Sequence, residues 1–187
     1  MILSRAEHIF SNSFGNFMFT SGNGITPLNE LVSPYVLAPE DFGRLLRSSP
    51  QREEMMRGFD AMLLALSEMG LVDGVIIIGG SFVSSERDPH DIDVIIAYSG
   101  SRQVDFDVKR YMNDPRFVNQ GQIGRWFNCN LFAINCDGLE GALVLAKWVT
   151  RFTYDKKTGT MRGLIGCMLA DYLAGLATES DHQNSPC

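Results

Sequence analysis

Asp91 and Asp93 stand two residues apart at the head of an apolar run, Asp91-Ile92-Asp93-Val94-Ile95-Ile96. In an extended strand, side chains at i and i+2 project to the same face. The two carboxylates would therefore meet at the mouth of an otherwise apolar strand. Adjacent carboxylates repel and are costly to desolvate, so a chain seldom sets them beside a core without a partner. A divalent cation is the usual partner, and Mg²⁺ commonly binds through one or two carboxylates plus phosphate oxygens. Upstream, the apolar run Val75-Ile76-Ile77-Ile78 ends at Gly79-Gly80-Ser81. Residues without Cβ let a backbone come close to a ligand. Ser81 adds a hydroxyl, and the N–H groups of a following helical turn favour an anion. A phosphate cradle of Gly79, Gly80 and Ser81 beside metal carboxylates Asp91 and Asp93 is equipment for phosphoryl or nucleotidyl chemistry.

Gly80-Ser81, nine intervening residues and then Asp91-Ile92-Asp93 resemble the hallmark of the nucleotidyltransferase, or polymerase-beta-like, fold superfamily. Order, spacing and apolar context agree. The chain also resembles a group of small bacterial and phage proteins that carry this motif after a helix, over about residues 35–167. The resemblance implies an α/β (α+β) class. The expected form is a small mixed-sheet nucleotidyltransferase-like domain with flanking helices and a C-terminal β-hairpin. It implies Mg²⁺ (or Mn²⁺) as cofactor and an NTP as substrate. It also implies a third carboxylate on a following strand. The expected strand, Trp126 to Ile134, holds Asn130 at that place, with Asn128 on the same face. Asn can offer a carbonyl oxygen to a metal, but no negative charge and no base. Asp105 and Asp107 are the substitutes to test. His90 reads as a loop histidine, with a proton shuttle or phosphate contact as the alternative. Lys147, Arg151 and Arg162 are candidate phosphate contacts. Trp126 and Trp148 read as core residues, with base stacking as the alternative.

The elements that must position these residues follow from pattern. Pro39-Glu40-Asp41 reads as a helix start, and Ser48-Ser49-Pro50 as its break. Met55, Met56, Phe59, Met62, Leu63, Leu66 and Met69 recur at helical spacing over 51–69. That Met-rich stripe reads as core filler. Gly70 and Asp73-Gly74 turn the chain into a strand at 75–79, followed by a loop with a short helix at 80–87 and a strand at 91–98. Residues 102–118 read as a helix and 139–147 as a short one. Trp148 to Tyr154 and Thr160 to Ile165 read as the hairpin strands. The expected organisation is an N-terminal aromatic arm at 1–34, a domain at 35–177 and a flexible tail at 178–187. Phe10, Phe14, Phe17 and Phe19 are too many aromatics for a free arm. It should pack on the domain or join a second copy of the chain.

The 187 residues are 45% hydrophobic and 20% charged, which suits one globular domain. No run approaches a membrane span. The first residues lack the basic-then-apolar order of a secretion signal. Cys129, Cys136, Cys167 and Cys187 form no C-x-x-C pair, so a zinc site has no support and a reducing cytoplasm is expected. A net charge of −6 argues against coating nucleic acid by charge alone. Residues 101–170 nevertheless hold ten basic and six acidic side chains, which suits a polyanionic substrate. The expected function is Mg²⁺-dependent transfer of a nucleotidyl group from an NTP to a hydroxyl on RNA, protein or a small molecule. The alternatives are a catalytically impaired binding relative, antitoxin-like or acting in phage–host conflict, and an assembly protein using its arm.

Overall fold

A computed structural model describes residues 9–11, 17–21, 24–25, 35–83, 89–153 and 163–183. Within the arm, β1 (Ile9–Ser11), β2 (Phe17–Ser21) and β3 (Gly24–Ile25) form a three-stranded antiparallel sheet. The side chains of the arm lie outside the described residues.

The main unit begins with β4 (Tyr35–Leu37) and α1 (Pro39–Leu46). Pro39 at the first helical position and Glu40 and Asp41 in the first turn suit a helix start. Ser49 then caps α2 (Pro50–Ser67) by accepting from the Arg52 N–H. The Met and Leu stripe of α2 is buried as its spacing predicts. Gly70, at φ +90°, ends that region, and an added Cβ there would meet the Asp105 carbonyl.

Then follow β5 (Val75–Gly79), a single 3-10 turn at Gly80–Val83, and β6 (Ile92–Tyr98). α3 (Val108–Asn113) and α4 (Gln120–Phe127) lead to β7 (Cys129–Asn135). α5 (Gly138–Thr153) leads to β8 (Ile165–Met168) and α6 (Leu169–Gln183). The five strands form one mixed sheet in the order β4-β8-β5-β6-β7. β5 runs antiparallel to both β6 and β8, while β6–β7 and β4–β8 are parallel. The class is α+β.

Both faces of the sheet are covered, so its central strands are nearly continuous Val and Ile rather than alternating. Ile76, Ile78, Ile92, Val94, Ile96 and Leu131 belong to the larger core with α1, α2, α4 and α6. Ile77, Ile95 and Ile134 belong to a smaller cluster closed by α5 through Leu145, Trp148, Val149 and Phe152.

Several expected elements differ. Residues 148–153 are helix, not the first strand of a C-terminal hairpin. Their aromatic and β-branched content favours a strand locally. The spacing of Leu145, Trp148, Val149 and Phe152 instead lays one helical stripe on the sheet, and tertiary packing decides the outcome. The expected turn at 155–159 lies outside the described residues. β8 starts at Ile165 and pairs with β4 and β5 instead of a hairpin partner. Trp126 and Phe127 end α4 rather than open β7. The helix expected over 102–118 is confined to α3. α6 continues to Gln183, so residues 178–183 are helical rather than part of a flexible tail. Among the described residues, no helix is long and apolar enough to cross a membrane.

Candidate active site

The site residues sit at one end of three neighbouring strands. Gly79, the last residue of β5, pairs with Asp93 on β6, and Asp93 pairs with Asn130 on β7. Strand parity sends Ile92 and Val94 into the larger core, so Asp91, Asp93 and Asn130 share the opposite face, the one covered by α5. The Asn130 amide donates to both carboxylates, from Nδ2 to Asp91 Oδ2 at 2.7 Å and to Asp93 Oδ1 at 3.2 Å. Its N–H groups thus supply the positive dipole that two adjacent carboxylates need.

The glycines are required for reasons the motif alone does not reveal. A Cβ on Gly80 would lie 2.1 Å from Asp93 Oδ2, and Gly80 holds φ at +69°. A Cβ on Gly79 would meet the Phe152 Cβ at 2.8 Å. The space beside these two Cα atoms is therefore filled by the protein's own Asp93 and Phe152. That steric demand stands beside the expectation that both glycines open the backbone to a ligand. Ser81 follows in the 3-10 turn, half-buried.

Arg52 braces the turn from below. This arginine is 6% exposed, donates from Nη1 to the Phe82 carbonyl, and lies 4.8 Å above the Phe82 ring. Sequence reasoning passed over it, because a lone Arg within a helical apolar stripe reads as a surface residue.

A family model described as a family of unknown function, DUF6932, matches residues 18–167. The chain belongs to DUF6932. No curated protein and no solved structure gives a significant match. The DUF6932 match spans the glycine turn, the acid pair and Asn130.

Other candidates in this DUF6932 chain separate clearly. Asp105 and Asp107 follow the far end of β6, where the Asp107 N–H bonds the Met69 carbonyl and its carboxylate caps α3 at Arg110 N. β6 has seven residues, so a span of roughly 20 Å separates them from the acid pair. They do not replace the third acid. Asn128 does not share the face of Asn130. It caps α4 in the left-handed conformation, φ 55°, a conformation that Asn tolerates, and its carbonyl accepts from the Ile92 N–H at 3.0 Å. Trp126 is 59% exposed, not core. Trp148 is packed between Phe132 and Phe152 in the smaller cluster. His90 is exposed beside buried Pro89. Lys147 and Arg151 are exposed on α5, and Arg162 lies outside the described residues. Cys129 is buried next to the acid pair. Burial, with the Asp91 carboxylate adding to it, pushes its thiol far above the usual cysteine range, which removes it as a nucleophile.

Among the described residues, no group of three or more His, Cys, Asp or Glu could hold a metal. Two carboxylates remain, with Asn130 turning N–H groups rather than its carbonyl oxygen toward them. The carboxylate pair suits one hard cation whose other ligands are phosphate oxygens and water.

Proposed function

We propose that this chain binds a nucleoside triphosphate through Mg²⁺, as a nucleotidyltransferase-like domain. The observation behind the proposal is the alignment of Gly79, Asp93 and Asn130 across β5, β6 and β7. Asp91 and Asp93 would hold the ion, and the turn at Gly79, Gly80 and Ser81 would lie at the phosphates. When bound, Mg²⁺ would neutralise phosphate charge and polarise the α-phosphoryl group. The transfer proposed is attack by an acceptor hydroxyl on RNA, protein or a small molecule at the α-phosphorus. A new O–P bond forms, the bond to the β-phosphate oxygen breaks, pyrophosphate leaves, and the hydroxyl proton passes to solvent.

Asn130 favours a second proposal. It donates to both acids and cannot accept a proton. Nothing at that position activates the acceptor hydroxyl. A chain that binds Mg²⁺ and nucleotide but transfers slowly or not at all is therefore its closest rival.

Replacing both Asp91 and Asp93 with Asn is expected to abolish Mg²⁺-dependent ATP binding, measured by calorimetry, while the circular dichroism of the fold persists. Binding like the parent's in the double variant would refute the site. A labelled-NTP transfer assay on RNA and protein acceptors then separates transferase from binder.

A further inference from the structure

We infer that Arg151, held against Trp148 at the end of α5, is the polyphosphate-binding side chain of this site. The inference rests on the proposed Mg²⁺–nucleotide site and adds a residue to it. Three observations lead there. First, α5 ends beside the glycine turn, since Phe152 is the side chain that fills the space next to Gly79. Arg151 immediately precedes it. Second, Phe132 is two residues beyond Asn130 on the same face of β7, and its ring lies 3.8 Å from that of Trp148. The Arg151 guanidinium lies over Trp148, 5.4 Å from the ring centroid. The path Asn130, Phe132, Trp148, Arg151 thus runs from the acid pair to a fixed cation. Third, five of the other described arginines are committed elsewhere. Arg44, Arg47, Arg57, Arg102 and Arg116 pair with carboxylates. Among the described residues, Arg151 makes no ion pair.

The chemistry fits one ligand class. The acid pair sets a polyphosphate's metal at one side. Among the described residues, Arg52 beside the turn is buried and donates to the Phe82 carbonyl, whereas Arg151 is exposed and can offer the remaining phosphate oxygens a full positive charge. A guanidinium presents a planar fork that matches two phosphate oxygens, and stacking on an indole holds that fork in place before the ligand arrives. The competing role for Arg151 is local. A cation in a helix's last turn offsets the negative end of the helix dipole. That role would move the melting temperature and leave ligand affinity alone.

The chain has two tryptophans, Trp126 and Trp148. In a Trp126→Phe background, Trp148 emission alone reports on this end of the site. Titration with Mg²⁺-tripolyphosphate and Mg²⁺-ATP should change that emission to saturation. Arg151→Gln should weaken both ligands at least tenfold. Arg151→Lys should recover part of the loss, since it keeps charge but not the fork. Lys109→Gln removes the same charge on α3, beyond the far end of β6, and should leave affinity within about twofold. Comparing the two ligands separates phosphate from nucleoside contributions. Parent-like binding by Arg151→Gln overturns the inference, and the nucleotide site itself stands if Asp91→Asn with Asp93→Asn still abolishes binding. Equal losses from Arg151→Gln and Lys109→Gln would reduce the effect to general field and also overturn it. If the parent binds neither ligand with Mg²⁺, the inference and the proposed site fall together.

Discussion

Replacing Asn130 with Asp is expected to lower the stability of the metal-free protein by about 3 kcal/mol, roughly 6–12 °C in melting temperature for a chain of this size. The change removes a donor that reaches Asp91 at 2.7 Å and Asp93 at 3.2 Å. Hydrogen bonds to charged acceptors contribute about 1.5–3 kcal/mol each. In their place stands a third carboxylate, and like charges at contact distance disfavour their ionised forms. Mg²⁺ should recover most of the loss. A ligand that binds only the folded state stabilises it by mass action, about 2.7 kcal/mol at a hundred times its dissociation constant. The Mg²⁺-induced rise in melting temperature should thus be larger in Asn130→Asp than in the parent. An equal rise in both would place Asn130 away from the ion. Transfer activity that appears only in the variant would identify the native chain as the binding relative.

Gly80→Val should abolish Mg²⁺-dependent nucleotide binding, a loss of more than tenfold or about 1.4 kcal/mol. The cause is Asp93. A Cβ at Gly80 would overlap Asp93 Oδ2 at 2.1 Å, with Cγ at 2.9 Å and Cβ at 3.2 Å behind it. The carboxylate must swing out of its pairing with Asn130 and away from Asp91. The left-handed backbone at Gly80 adds about 1–2 kcal/mol of strain for any L side chain. Gly80→Ala carries the same two defects in milder form and serves if the valine variant does not fold. A folded variant at Gly80 with parental affinity would show that Asp93 can leave its place at no cost to binding.

The acid pair and its neighbours were legible because strand parity is a strict period of two. Asp91 and Asp93 could be assigned to one face, Asn130 was placed by the third carboxylate expected on a following strand, and the structure brings all three within hydrogen-bond reach. α2 was legible from its apolar spacing, while Ser49–Pro50, read as the break of the preceding helix, also caps the start of α2. Residues 148–153 were not, because Trp148, Val149, Thr150, Phe152 and Thr153 are strand formers. Only the neighbouring Ile77, Ile95 and Phe132 make their helical stripe the better burial. Asn128 was misplaced because one αL residue shifts the start of β7 past Trp126 and Phe127. The reason for Gly80 was hidden too. A collision with Asp93 on the next strand exists only once the register is set.

Asp91, Asp93 and Asn130 project on the face whose cover, among the described elements, is α5 alone. The larger core, with Phe42, Met56, Phe59 and Leu63, lies behind the sheet and does not roof them. Local opening and global unfolding then draw on different free energies. Entry to the acid pair is governed by how firmly Trp148, Val149 and Phe152 rest on their strands. Survival on heating is governed by the four-helix side. A substitution in α5 can speed or slow exchange at the site while the melting point stays still, and one in α2 can do the reverse.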